Sequence, residues 1–248
     1  DIIGSTHYEV VIDRTQLLSN INEVISLYDE PFSDSSAIPT FLISKFASNE
    51  VKVCLGGDGG DELFGGYDRY FYAKKMWNII KFMPLLIRSY LSKKLSKLPY
   101  GYSVKFLKII KTLQKIMKFS DARLLSRPDQ LERIYHTIGA KDLADLYDIL
   151  MSDIRQNYKI FSFNDDYTSN HKFLENSEFE NMMRLDANDY LPNDLLTKVD
   201  RASMLNSLET RLPFLDLRIV EFSKKLSTKF KINNNESKIL IKKELEKY

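Results

Sequence analysis

"VKVCLGGDGGDELFGG", residues 51–66, joins a short apolar run to a loop that packs six glycines and three carboxylates into positions 56–66. Val51, Val53, Cys54 and Leu55 read as a brief strand, mostly apolar as a strand covered on both faces would be. The loop that follows admits three readings. "GGDGGDELF" fits the nine-residue repeat of calcium-binding β-rolls, but the next nine residues, "GGYDRYFYA", put Asp68 where glycine belongs and Tyr70 where aspartate belongs. The register ends after one copy, and one turn of a β-roll builds no core. A plain turn needs fewer glycines, and crowded acids repel one another unless a cation or an amine offsets them. An active-site loop accounts for both halves of the pattern. Amides at Gly56, Gly57, Gly59 and Gly60 can approach an anionic ligand, while a carboxylate can reach the Mg²⁺ that accompanies a nucleotide's phosphates. A second carboxylate can take a proton from an attacking amine. Asp58 and Asp61 are the candidates for these two tasks, and spacing does not say which does which.

Before this loop, "HYEVVI" (7–12) reads as a strand and "TQLLSNINEVISLYDE" (15–30) as a helix carrying Leu17, Leu18, Ile21, Val24, Ile25 and Tyr28 on its apolar side. "DSSAIPTFLISKFAS" (34–48) is a second helix, capped by Ser35 or Ser36, with Pro39 in its first turn and Leu42 and Phe46 one turn apart. Strands and helices that alternate in this way predict an α/β sheet with parallel strands, where ligands sit beyond the carboxyl ends. The 56–66 loop lies at such an end. From Leu63 to about Tyr190 the pattern turns helical, through "LFGGYDRYFYAKKMWNIIKF" (63–82), "YSVKFLKIIKTLQKIMKF" (102–119) and "SEFENMMRLDANDY" (177–190). The expected organisation is an α/β part over 1–70, a mostly helical part over 71–190 and returning helices over 191–248. In "YLPNDLLTKVDRASMLNSLETRLPFLD" (190–216) a helix capped by Asn193 is expected to line one face with Leu195, Val199, Ala202 and Leu205. Asp194, Lys198 and Arg201 then form a solvated ion-pair stripe on another face. "ESKILIKKELEKY" (236–248) is a last amphipathic helix.

Composition narrows the partners. The chain has 248 residues, a formal charge of +2 and a single cysteine, Cys54, so no internal disulfide can form and a reducing, cytoplasmic setting is expected. His7, His136 and His171 have no zinc-ligand spacing. No apolar stretch approaches the roughly 18 residues of a membrane span, and no signal peptide is evident. Residues 74–118 hold twelve Lys/Arg and no Asp/Glu. A helical hairpin that buries Leu107, Ile110, Leu113 and Ile116 and solvates its lysines accounts for this better than nucleic-acid or membrane binding. The start at Asp1, straight into "HYEVVI", reads as a piece of something longer.

"DEPFSDSSAIPT" (29–40), "CLGGDGGDELFGGYDRY" (54–70) and "LPNDLLTKVDRASMLNSLETRLPFLD" (191–216), in this order, resemble the synthetase domain of glutamine-hydrolysing asparagine synthetases. The three motifs cover under a third of the chain but lie on both sides of the helical stretch, and "STHYEVVI" (5–12) is similar to the family's strand before the first. The resemblance implies an adenine-nucleotide α-hydrolase-like fold, the parallel-sheet type of PP-loop ATP pyrophosphatases, here truncated and with a large helical portion. It also implies ATP and Mg²⁺ as cofactors and adenylation of aspartate to β-aspartyl-AMP. Ammonia from a glutaminase domain then displaces AMP to give asparagine, and a homodimer is compatible with this.

Carried onto this chain, the resemblance makes Asp61 the Mg²⁺ ligand and Asp58 the acid that takes a proton from ammonia. Glu62 becomes the adjacent substrate-side acid and Lys238, in "ESKIL", the lysine that contacts phosphates. Arg211, whose fork suits a substrate carboxylate or pyrophosphate, has an ion pair with Glu209 or Asp216 as its structural alternative. Asp58 stands where some members have Glu, and Gly56 where many have Ser. The family's S-G-G-x-D-S loop occurs nowhere in these 248 residues, so they are not expected to make asparagine by themselves. A paralogue that adenylates another carboxylate, such as a β-lactam-forming or amidating synthetase, and a non-catalytic remnant or partner subunit are the competing functions.

Overall fold

The computed structural model describes residues 4–96, 135–151, 177–233 and 236–248. The helix expected over 102–119, and with it the hairpin of Leu107, Ile110, Leu113 and Ile116, lies outside the described residues. The chain divides into two compact units. One comprises Asp1–Gly66, Met183–Lys231 and Lys238–Tyr248, and the other Tyr67–Met182 and Ile232–Ser237.

The first unit holds a small parallel sheet among helices. Strand β1 (Val53–Leu55) pairs with β2 (Glu209–Arg211), with Val53 opposite Glu209, Cys54 opposite Thr210 and Leu55 opposite Arg211. Cys54 Sγ lies 3.4 Å from Thr210 Oγ1, so both project from the same face. The opposite face does not match the expectation of a strand covered on both sides. There, Val53 is 49% and Leu55 75% exposed. On the first face Cys54 and Thr210 are half-buried, so the apolar run is covered on one side only.

"HYEVVI" is not a strand. Among the described residues only β1 and β2 pair, and a strand without a ladder partner leaves its backbone to water. Val10 and Ile12 instead line a groove with Leu42 and Phe46 of the Ala37–Glu50 helix. The helix expected over 15–30 is broken into Arg14–Ser19 and Ile21–Ile25 at Asn20. Asp13 and Gln16 start the first of these with a capping box. The unit's core is built on Val24, Ala37, Phe41 and Ala202, with Tyr28, Phe32 and Leu42 packed around it.

The 191–205 helix begins well before Asn193. An α-helix over Glu178–Leu185 continues as a π-helix over Asp186–Leu196 and then as an α-helix over Thr197–Leu205. Pro192 lies inside the π segment. Its ring would collide with the carbonyl one turn back in an α-helix, and the wider π turn relieves that clash. Thr197 Oγ1 donates to the Pro192 carbonyl at 2.9 Å. Asn193 caps nothing; its amide donates to Asp189 instead.

In the second unit, the helices Asp68–Ile80 and Leu143–Met151 bury Tyr70, Ala73, Leu146 and Tyr147. Arg69 Nε donates to the Tyr147 hydroxyl at 3.0 Å. Arg88 of the Leu85–Leu95 helix, only 5% exposed, donates to the Ala140 carbonyl. The helical stretch read over 63–82 is divided, because Gly65 takes a left-handed conformation (φ 70°) and ends the Gly60–Phe64 helix before Asp68–Ile80 begins.

Candidate active site

The 56–66 loop takes shape on the "RLPFLD" segment. Gly56 N–H donates to the Arg211 carbonyl at 2.8 Å, carrying the ladder one residue past β1. A methyl at Gly56 would lie 2.6 Å from Leu212 Cδ2, and one at Gly60 would lie 3.2 Å from the Phe214 ring. Gly59 combines φ +88° with a would-be Cβ 2.4 Å from Leu215 Cδ2. These three positions let the loop press against residues 212–215 before the short helix Gly60–Phe64 begins. Gly57 is different, since a Cβ there meets no atom within 4 Å. Gly59→Ala is accordingly expected to lower stability by about 1–3 kcal/mol, and Gly57→Ala to be neutral within about 0.5 kcal/mol. Amide exchange of the Gly60–Phe64 helix in denaturant checks both.

Asp61 sits in the first turn of that helix, and its carboxylate meets Lys238 from the far end of the chain. Lys238 Nζ to Asp61 Oδ1 is 2.8 Å, and both side chains are about a third exposed (34% each). The structure thus brings together two residues singled out separately in the sequence. Asp58 lies half-buried beside Gly56, with Oδ2 3.3 Å from where a Cβ on that glycine would be. Glu62 is only 2% exposed, so its carboxylate is enclosed by the protein. Arg211 projects from the open face of the sheet with Leu55, and its guanidinium is paired with Glu209 at 2.6 Å. Asp216 is held by Arg218, whose side-chain hydrogen bonds bring the Asp216 carboxyl down to about 2.

Magnesium keeps several waters and binds through one or two carboxylates plus phosphates rather than in an all-protein cage. Among the described residues no group of three or more His, Cys, Asp or Glu could hold a metal ion. A single carboxylate about a third exposed, as Asp61 is, matches the number of protein ligands that this sparser mode uses.

The expected ion-pair stripe is solvated at Arg201, whose side chain is 45% exposed, but not at Lys198. Lys198 is 6% exposed and its ammonium donates to Asp34 and, at 2.8 Å, to Ser36 Oγ. Arg201 reaches Asp29 at 2.6 Å. Both partners lie in "DEPFSDSSAIPT", so the third motif clips the first in place. Asp34 also accepts from the Ser36 backbone N–H and hydroxyl. Burial pushes the Asp34 carboxyl up, but the Lys198 and Ser36 hydrogen bonds together hold it below its ordinary value. Burial, then the charges of Asp34 and Asp194, push the nearby Tyr28 hydroxyl up.

Among the described residues no helix is long and apolar enough to cross a membrane. No solved structure matches the chain. It is 28% identical over 252 residues to asparagine synthetase [glutamine-hydrolyzing] 1 of Bacillus subtilis, covering 98% of this chain and 36% of that protein. Asparagine synthetase [glutamine-hydrolyzing] 3 of the same organism is 23% identical over 249 residues, covering 99% of this chain and 32% of the relative. The rice protein asparagine synthetase [glutamine-hydrolyzing] 2 is 38% identical over 76 residues, 29% of this chain and 12% of its own. The chain therefore spans about a third of the length of these two bacterial relatives. The asparagine synthase family model matches residues 1–248, the full chain, which belongs to that family.

Proposed function

We propose that the chain forms part of the ATP site of an amide-forming ligase that adenylates aspartate and passes the acyl group to ammonia, giving asparagine, AMP and pyrophosphate. One observation carries the proposal: the Asp61–Lys238 pair at the carboxyl end of a parallel strand, where α/β folds bind their ligands. Family membership supports the reaction class. The adenine-nucleotide α-hydrolase-like sheet, a glutaminase domain as ammonia source, a homodimer and a cytoplasmic setting belong to the same reading.

A free carboxylate is a poor electrophile, and adenylation gives it a leaving group. The aspartate side-chain oxygen attacks the α-phosphorus as pyrophosphate departs; ammonia then attacks the acyl carbon and AMP leaves. Mg²⁺ bound with ATP supplies charge neutralisation at the departing phosphates. Asp61 provides a carboxylate oxygen for that ion, and the Lys238 ammonium stabilises phosphate charge directly. The exposed backbone at Gly57 is open to an anion. Asp58 takes the proton that ammonia loses, and Arg211 acts on the substrate side, with Glu62, enclosed by the protein, acting only through its neighbours.

The test is release of pyrophosphate from ATP. A longer protein that carries this chain together with an S-G-G-x-D-S loop and a glutaminase domain is expected to release it in an aspartate-dependent manner. The purified 248-residue chain alone is expected to release none above background. Release stimulated equally by an unrelated carboxylic acid would point to the paralogous acyl substrates instead.

A further inference from the structure

Lys238 stands in an unfavourable place. Its backbone is left-handed (φ 52°, ψ 37°), a conformation that among the described non-glycine residues only Ser207 shares. It occupies the N-cap of the Ile239–Leu245 helix without a side-chain cap bond. A cation there faces the positive end of the helix, where an anion is preferred. Strain of this kind persists only where surrounding contacts hold it. The Lys238 carbonyl accepts from the Lys242 N–H at 3.0 Å, its ammonium is held by Asp61, and the space for that second contact is made by Gly66. A Cβ on Gly66 would lie 1.6 Å from Asp61 Oδ1 and 2.2 Å from Lys238 Cε.

We infer that Lys238 is a resident cation that a divalent ion must displace from Asp61, so that the pair is a latch and Gly66 is the gap in which it closes. The inference rests on the reading of Asp61 as a metal ligand. With the latch closed, the lysine neutralises the carboxylate and Asp61 is not presented as a bare charge. When a divalent ion takes the carboxylate, the ammonium is released on a flexible four-carbon stem toward whatever anion arrives with the ion. Lysine and metal then compete for the charge of one carboxylate even though the proposed reaction needs both. Gly66 is a positioning residue, because any side chain there meets both members of the pair.

The competition has a sign that a merely structural lysine would not produce. Mn²⁺ alone is titrated into the 248-residue chain, and free ion is followed by electron paramagnetic resonance. Lys238→Ala is expected to tighten Mn²⁺ binding roughly twofold to fivefold, the worth of a partly exposed pair. Lys238→Arg, which keeps a cation, stays within about twofold of wild type. Asp61→Asn removes the binding. Lys238→Gln, which keeps most of the stem, replaces the alanine variant if the latter loses its wild-type circular dichroism. Mn²⁺ binding by the neutral variant alone supports the latch in its strongest form. Unchanged or weaker binding in the neutral variant, or none in either protein, overturns the latch. Asp61→Asn binding Mn²⁺ as wild type does overturns the ligand reading on which it rests.

Discussion

Asp34→Ala is expected to lower the stability of the first unit by about 3–5 kcal/mol, because it strands a buried ammonium rather than deleting a surface contact. The Lys198 and Asp34 side chains are 8% and 16% exposed. Once the carboxylate is gone, Nζ keeps only the Ser36 hydroxyl at 2.8 Å, a neutral acceptor that cannot repay the desolvation of a charge. Replacing both residues at once, Asp34→Leu with Lys198→Met, is expected to recover most of the loss, since a buried pair is worth far less than either partner stranded. The probe has to report on the right unit. Trp77, the only tryptophan, lies in the second unit, so its fluorescence would miss the effect. Hydrogen exchange of the Thr197–Leu205 helix in denaturant reads it directly. A loss below about 1 kcal/mol would mean that the pair behaves as a solvated one.

The same pair sets an acid dependence. Burial raises the Asp34 carboxyl, but hydrogen bonds to Lys198 and Ser36 outweigh it, and the net direction is down. A carboxyl depressed in the folded state binds its proton more readily when unfolded. Its stabilisation is therefore fully present above the unfolded value, about 3.9, and is lost as pH falls through the lower folded value. Wild-type protection of the Thr197–Leu205 helix should therefore fall below about pH 4. Asp34→Asn, already without the charge, should be flatter over that window. A steeper acid loss in the variant would contradict the assignment.

That clip was within reach of sequence reasoning, which assigned Ala202 to the core face of its helix. Lys198 is one turn earlier on that same face, so placing Ala202 inside also placed Lys198 inside. Its charge argued for solvent, but pairing with a carboxylate from a distant loop allowed burial. Locally periodic features were legible: the helix after "DSSAIP", the strand after Glu50, and the turn to helix after the glycines. What escaped depended on partners. A strand at "HYEVVI" needs a neighbour that spacing cannot supply, and Asn193 looked like a cap by residue type alone. The helix instead runs through it, with Pro192 accommodated inside a π turn. The glycines were read as approach to a ligand, whereas Gly56, Gly59 and Gly60 meet Leu212, Leu215 and Phe214. Those three residues come from the "RLPFLD" motif, so two stretches noticed separately are one packing unit. Asp61 and Lys238 were each legible as chemistry, but their 2.8 Å contact required the fold.

In the longer protein proposed to carry this chain, Asp61→Asn is expected to cut aspartate-dependent pyrophosphate release by about 10²–10³, the usual cost of losing one electrostatic contact to developing transition-state charge. The substitution keeps size and shape, and the amide oxygen can still accept from Lys238, so the Gly60–Phe64 helix and its packing on Phe214 should survive. What goes is the negative charge. That separates a ligand from a structural residue, because a lost ligand raises the Mg²⁺ concentration needed for half-maximal rate, while a loosened fold lowers the rate at every concentration. Glutamine hydrolysis by a separate domain supplies the internal control, since it does not draw on Asp61 and should stay within about twofold of wild type. Asp58→Asn should behave differently. A proton acceptor for ammonia acts after adenylation, so its loss should slow asparagine formation more than pyrophosphate release. If Asp61→Asn releases pyrophosphate at the wild-type rate, the carboxylate is not the metal's ligand, and the 2.8 Å pair with Lys238 is a structural tie between the loop and the last helix.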